Sequence, residues 1–164
     1  MPFKIKGQIE GLEGTLAVLK SADAKVRKKI LRKACNKAGG VLLKRAKQLV
    51  PTKSKLLKKS LGRKVKVYPS GVAVAVVGPR KGFRQEVVRD GREVLSDPIR
   101  YAHLVEGGTR PHGYKTRGGR HPGAKARPFL KPSLDSTKST VKKVIANTIA
   151  EGLQEAANAG KGKG

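Results

Sequence analysis

The run "AGGVLLKRAKQLVPTKSKLLKKSLGRKVKVYPSGVAVAVVGP", Ala38–Pro79, decides the fold, because the spacing of its apolar residues changes partway along. Up to Val50 they return every three or four positions; from "RKVKVYP" onward they alternate. The first period is that of a helix with one buried stripe, and the second is that of a strand. Pro51 divides the two regimes.

Upstream, the helical period extends from Ala22 to Val50, through Val26, Ile30, Ala34, Ala38, Val41, Leu42, Ala46 and Leu49. Asp23 has the side chain to cap its start. Gly39-Gly40 costs about 1 kcal/mol per glycine relative to alanine, so either the helix bends there or something packs closely against it. Residues 1–21 read as an N-terminal arm. "PTKSKLLKKSLG" is a loop or short helical turn. Val72, Val74 and Val76, with alanines between, predict a strand buried on both faces. "EVVRDGREVL" predicts a second hairpin turning at Asp90-Gly91, and "IRYAHLVEGG" a short helix closed by glycine.

Residues 107–128 hold six glycines, three prolines and six lysines or arginines, a composition for an extended basic loop. A last amphipathic helix is expected from Ser133 to Ala157, with Leu134, Val141, Ile145, Thr148, Ile149 and Leu153 as its stripe, followed by a flexible tail at 158–164. Together these make a single α+β domain over residues 22–157: a long helix, a small antiparallel sheet, the loop and a C-terminal helix.

Charge narrows the function. There are 38 Lys and Arg against 11 Asp and Glu, a formal net charge of +27. No carboxylate lies between Asp23 and Glu86, an interval with 20 basic residues, and none between Glu106 and Asp135, with 7. Such intervals read as electropositive faces suited to a polyanion. Lys28, Lys29, Arg32 and Lys33 on the first helix, Lys58 and Lys59 after it, and Arg117 and Arg120 in the loop are the candidates to face nucleic acid. Three tyrosines, three phenylalanines and no tryptophan are too few for a base-stacking platform, which favours contact through phosphates.

Other chemistry finds little support. His103 and Glu106 could share a helical face, with His112 or His121 brought in from the loop, but the surrounding cations disfavour a metal. Glu106 lacks a second carboxylate for acid–base work and reads as a partner for an arginine, in its own or a neighbouring subunit. There is no nucleophile elbow and no phosphate-binding loop of the Gly-Lys-Ser/Thr type. Cys35 sits in an apolar-periodic segment, as a small core residue does. No catalytic residue, metal or cofactor is expected. No unbroken apolar run suggests a signal peptide or a bilayer span, so a soluble protein made in the cytoplasm is expected.

Three segments in order, "VPTKSKLLKKSL" (50–61), "YAHLVEGGT" (101–109) and "ARPFLKPSLD" (126–135), resemble the small neck proteins of tailed double-stranded DNA phages, the tail-completion or head–tail joining proteins. The resemblance runs over about residues 22–157. The family pattern falls on Pro51, Ser54, Lys55, Leu57 and Ser60, then on Tyr101, Ala102, Glu106, Gly108 and Thr109, then on Arg127, Pro128, Phe129, Leu130 and Pro132. Lys55 replaces the usual glycine, and Gly107 stands where an aromatic residue is common. The resemblance implies a non-enzymatic virion protein, made in the host cytoplasm, that forms a homo-oligomeric ring, expected to be six-fold. Its partners would be a portal-side connector or head-closure protein, a tail terminator or tail-tube protein, and sequence-independent double-stranded DNA in the lumen, with no membrane. The stretch from His103 to His112 would then end the short helix and launch a mobile cationic loop that becomes ordered against another chain or along DNA. The main alternative, from charge and the Gly-Arg loop alone, is a ribosomal or other RNA-binding protein; a DNA-compacting protein ranks below it.

Overall fold

The computed structural model describes residues 13–51, 55–89, 91–113 and 118–161. The elements in chain order are α1 (Glu13–Ser21), α2 (Ala24–Leu49), α3 (Lys55–Ser60), β1 (Leu61–Val67), β2 (Ala73–Pro79), β3 (Gln85–Arg89), β4 (Arg92–Ser96), α4 (Pro98–Gly107), β5 (His112–Gly113), β6 (Arg120–His121) and α5 (Leu130–Lys161). Three two-stranded sheets pair β1 with β2, β3 with β4 and β5 with β6, so the α+β class holds. The described residues divide into two compact units, one within 1–42, 63–77 and 137–164, the other within 43–62 and 78–136.

The first unit is built on α2. Asp23 Oδ1 accepts from the amides of Lys25 (2.7 Å) and Val26 (3.4 Å), taking up donors that the first turn of a helix leaves unpaired. The apolar stripe then buries Ile30 and Ala34 with Leu19 of α1 and Ile149 of α5, and Val26, Leu31, Ile145 and Leu153 pack around them. Gly152 lets α5 come close: a Cβ there would lie 2.8 Å from Ile30 Cγ1. Leu19 lies in a stretch that the sequence reading assigned to an arm, and here it is buried.

The Gly39-Gly40 pair in α2 is where the β1–β2 hairpin packs. A Cβ on Gly39 would touch Ala75 Cβ at 3.4 Å, and one on Gly40 would stand 2.6 Å from Arg63 Nη1. Arg63 Nε donates to Asn36 Oδ1 at 2.7 Å, which ties β1 to the helix. Only one face of the hairpin is covered in this way. The expectation of a strand buried on both sides is therefore corrected: Val72, just before β2, and Val74 and Val76 on it are 55%, 38% and 51% exposed. Alternation points Ala75 at the helix, and the small side chain is the one that fits against glycine.

The second unit has its own core of Ala46, Val50, Leu57, Leu61, Ala102 and Phe129, ringed by Leu43, Leu49, Tyr101, Val105 and Leu130. Burying a side chain such as Leu57 or Phe129 contributes about 2–3 kcal/mol. Short helix α3 carries Leu57 inward, and Ser60 Oγ donates to Leu57 O at 2.7 Å, so its hydroxyl is satisfied in the interior. The mouth of the β1–β2 hairpin closes with Arg80 N donating to Ser60 O at 2.9 Å. β3 and β4 run antiparallel with Gln85 opposite Ser96 and Arg89 opposite Arg92. Gly91 has φ +71°; Asp90, the other half of the expected turn signal, lies outside the described residues. α4 begins with Asp97 accepting from Ile99 N and Pro98 in the first turn, and ends at Gly108 with φ +71°. The last helix begins at Leu130, three residues before the sequence placed it.

Candidate functional site

The most specific polar arrangement in the second unit is made by Glu106 at the end of α4. Its Oε2 accepts from the amides of Phe129 (2.8 Å) and Leu130 (3.0 Å), and its Oε1 from the amide of Lys131 (3.0 Å). Those are the cap and the first two residues of α5, and the next residue, Pro132, has no N–H to satisfy. One carboxylate therefore takes every donor that the start of α5 exposes, and its negative charge suits that end of the helix dipole. Among the described residues of the chain itself its partners are these backbone amides and not an arginine. The physical reason is local: Phe129, in the capping position, has no oxygen to offer, so the acceptor must come from elsewhere in the chain.

The surrounding backbone holds Glu106 in place. Arg127 N donates to Val105 O at 2.8 Å, and Thr109 and Ala124 exchange two bonds of 2.9 and 3.1 Å as an isolated bridge. Gly108 combines φ +71° with ψ −177°, a region only glycine occupies readily, and a Cβ there would stand 2.6 Å from Ala124 O. A Cβ on Gly123 would collide with Thr109 O. Phe129 is buried, and Ser133 Oγ donates to Phe129 O below it. The second and third resemblance segments are thus two sides of one clamp. Of their residues, Tyr101 is half-buried against the core, Pro132 lies in the first turn of α5, and Arg127 and Pro128 present their side chains outward. In the first segment Leu57 and Ser60 are interior, Pro51 is half-buried, and Ser54 lies outside the described residues.

The basic loop grows from this clamp as a stem. His112 pairs with His121 and Gly113 with Arg120, and the two imidazoles stack at 4.9 Å with 21° between planes. His112 Nδ1 lies 3.0 Å from Arg110 O, which can only accept, so that nitrogen carries the proton. Gly123 N donates to His121 Nδ1 at 3.0 Å, so that nitrogen is bare. Among the described residues no three His, Cys, Asp or Glu side chains gather as a metal centre. Arg120 is exposed at the stem, and Arg117 lies outside the described residues.

The cations on α2 divide into two sets. Lys33 Nζ meets Glu155 at 3.0 Å and Lys37 Nζ meets Glu151 at 3.2 Å, both on α5 and both exposed. The hydrogen bond and charge of Lys33 hold the Glu155 carboxyl below its usual range, with Lys29 and Lys37 adding to the same field. Exposed pairs of this kind contribute little to stability. Lys28 and Arg32 are exposed on the same helix and form no ion pair among the described residues; Lys58 and Lys59 project from α3 in the other unit.

Two polar arrangements were not singled out from sequence. Arg80 Nη2 donates to Lys59 O at 3.1 Å and its Nε to Ser60 O at 3.3 Å, a position opened by Gly62, whose Cβ would lie 2.6 Å from Arg80 Cγ. A glycine opening a strand is the signal that could have shown this close approach. Asp97 caps α4 and also meets Arg84 (3.4 Å) and Arg100 (3.7 Å) beside a shallow cleft lined by Val94, Leu95 and Tyr101. Nothing in its sequence neighbourhood distinguishes that double role from an ordinary cap.

The family model described as "Bacteriophage HK97-gp10, putative tail-component" matches residues 15–108, more than half of the 164 residues, and the chain belongs to that HK97-gp10-like family. The match runs from α1 to the glycine that closes α4. No curated protein and no solved structure matches the chain. The family makes this a bacteriophage tail-region structural component, in keeping with the resemblance; the match takes in the first motif and the second up to Gly108, and the third, at 126–135, lies beyond it. No described helix is long and apolar enough to cross a membrane.

Proposed function

We propose that this protein is a neck component of the virion, a ring of identical subunits that joins the DNA-filled head to the tail and borders the channel through which DNA passes. The observation that carries the reading is the exposed pair of cations Lys28 and Arg32 on α2, which form no ion pair among the described residues, on a member of a phage tail-component family. Phosphates are the counter-charge such a surface meets in a virion, and contact through them is indifferent to sequence. The head-side neighbour is a portal-side connector or head-closure protein, and the tail-side neighbour is a terminator or tail-tube protein. The family match favours this over the RNA-binding alternative.

The test is a phage in which this gene is silenced. Filled heads and separate, unattached tails are the expected products, and mass spectrometry of intact wild-type particles should find the chain at ring stoichiometry. Normal infectious particles without the chain would overturn the proposal.

A further inference from the structure

Carboxylates are scarce here, and most of the described ones are engaged within the chain. Asp23 and Asp97 cap helices, Glu106 holds the start of α5, and Glu151 and Glu155 meet lysines. Glu86 and Glu93 are different: both are exposed, and neither has an ion-pair or hydrogen-bond partner among the described residues. The β3–β4 register sets Glu86 opposite Leu95 and Val88 opposite Glu93, so the four share one face of the hairpin. That face leaves Val88 70% and Leu95 56% exposed. A two-stranded hairpin is marginal by itself in water, and this one presents uncovered apolar side chains flanked by uncompensated acids.

The outer face of β1–β2 has the complementary composition. Lys64 and Lys66 alternate outward on β1, with Lys66 Nζ 4.6 Å from the centre of the Tyr68 ring, and Val72, just before β2, is exposed together with Val74 and Val76 on it. Each surface is two strands wide with an apolar stripe. One adds two lysines and the other two glutamates.

We propose that the Glu86–Val88–Glu93–Leu95 face of one subunit docks on the Lys64–Lys66–Val74–Val76 face of a second copy of this chain. The occupant is another copy because each chain carries both halves of the contact in equal number. Two different surfaces meet, so the contact is heterologous and repeats around an axis until it closes. Each chain carries +27, so subunits repel at long range, and a local acidic patch against lysines offsets that repulsion and sets the register. This deepens the ring reading above and rests on it.

The test uses the full chain and measures mass by analytical ultracentrifugation over a range of concentrations. Glu86→Lys with Glu93→Lys should weaken self-association at least ~100-fold, because like charges placed across a contact are strongly unfavourable. Lys64→Glu with Lys66→Glu should do the same, and the chain with all four reversals should assemble again. Thermal melting of each variant checks that the subunit still folds. Independently, Val74→Cys protein mixed with Val88→Cys protein, each also Cys35→Ser, should form a disulfide-linked pair in excess over either alone. If the charge-reversed chains assemble like wild type and the cysteines do not couple, this contact is wrong while a ring closed by other surfaces survives. If the wild-type chain stays monomeric at every concentration, the contact and the ring reading fall together.

Discussion

Glu106 and Phe129 are joined across 23 positions of chain, the Oε2 of one accepting from the amide of the other at 2.8 Å. With the amides of Leu130 and Lys131 on the same carboxylate and Pro132 next in line, the start of a 32-residue helix is capped by a side chain from another element. Glu106→Ala should lower stability by about 2–3 kcal/mol, since it strands three amides that a charged acceptor had satisfied. Glu106→Gln keeps one acceptor oxygen and should cost less. Urea unfolding of the three proteins checks the order, and an alanine variant as stable as wild type would remove the clamp from the account.

Gly108 should tolerate no side chain. Its φ of +71° with extended ψ is strained for any other residue by about 1–3 kcal/mol, and the added Cβ would press on Ala124 O and Ala126 N at 2.6 and 2.7 Å. Gly108→Ala should lower the melting temperature by at least about 2 °C, given roughly 2–4 °C per kcal/mol for a chain of this size.

Helical glycines on two helices should respond with opposite signs. Gly152→Ala gains helix propensity but drives a Cβ to within 2.8 Å of Ile30 Cγ1, so it should destabilise. Gly39→Ala meets Ala75 Cβ at an ordinary 3.4 Å and should be neutral or stabilise by up to about 1 kcal/mol. Calorimetry of both variants measures the contrast, and equal shifts would contradict the close approach of α5 to α2.

Burial pushes the Cys35 thiol above its usual value. The native thiol therefore keeps its proton at a pH where the unfolded chain has begun to lose it. Stability from this group is whole below the ordinary thiol range and falls as pH rises through the native value. Iodoacetamide at mildly alkaline pH should label Cys35 slowly in the native protein and many times faster in urea. Equal rates would place the thiol at the surface.

Contact with DNA through phosphates has a signature in salt. Lys28→Ala and Arg32→Ala should each lower the slope of log affinity against log salt by about one, with equal effect on unrelated DNA sequences. The same measurement on Arg120→Ala assigns the loop stem: an unchanged slope gives that stem to a protein neighbour rather than to DNA.

Local signals in the sequence were strong where one element answers to its own periodicity. α2 and its Asp23 cap, both hairpins, the glycine end of α4 and the stripe of α5 were legible, because spacing, turn residues and capping groups act over a few positions. The reading of Val72, Val74 and Val76 failed for a tertiary reason: alternation reports that two faces exist, and only the packing of Ala75 on Gly39 decides which face is covered.

What the sequence alone determined is the charge and the elements that answer to their own periodicity: a basic α+β chain with few carboxylates and segments that resemble those of phage neck proteins. What only the tertiary structure decided is which distant residues meet. A carboxylate can satisfy an arginine or three amides equally well on paper, and the choice falls to whichever donors the fold brings within 3 Å; for Glu106 those are the unpaired amides at the start of α5.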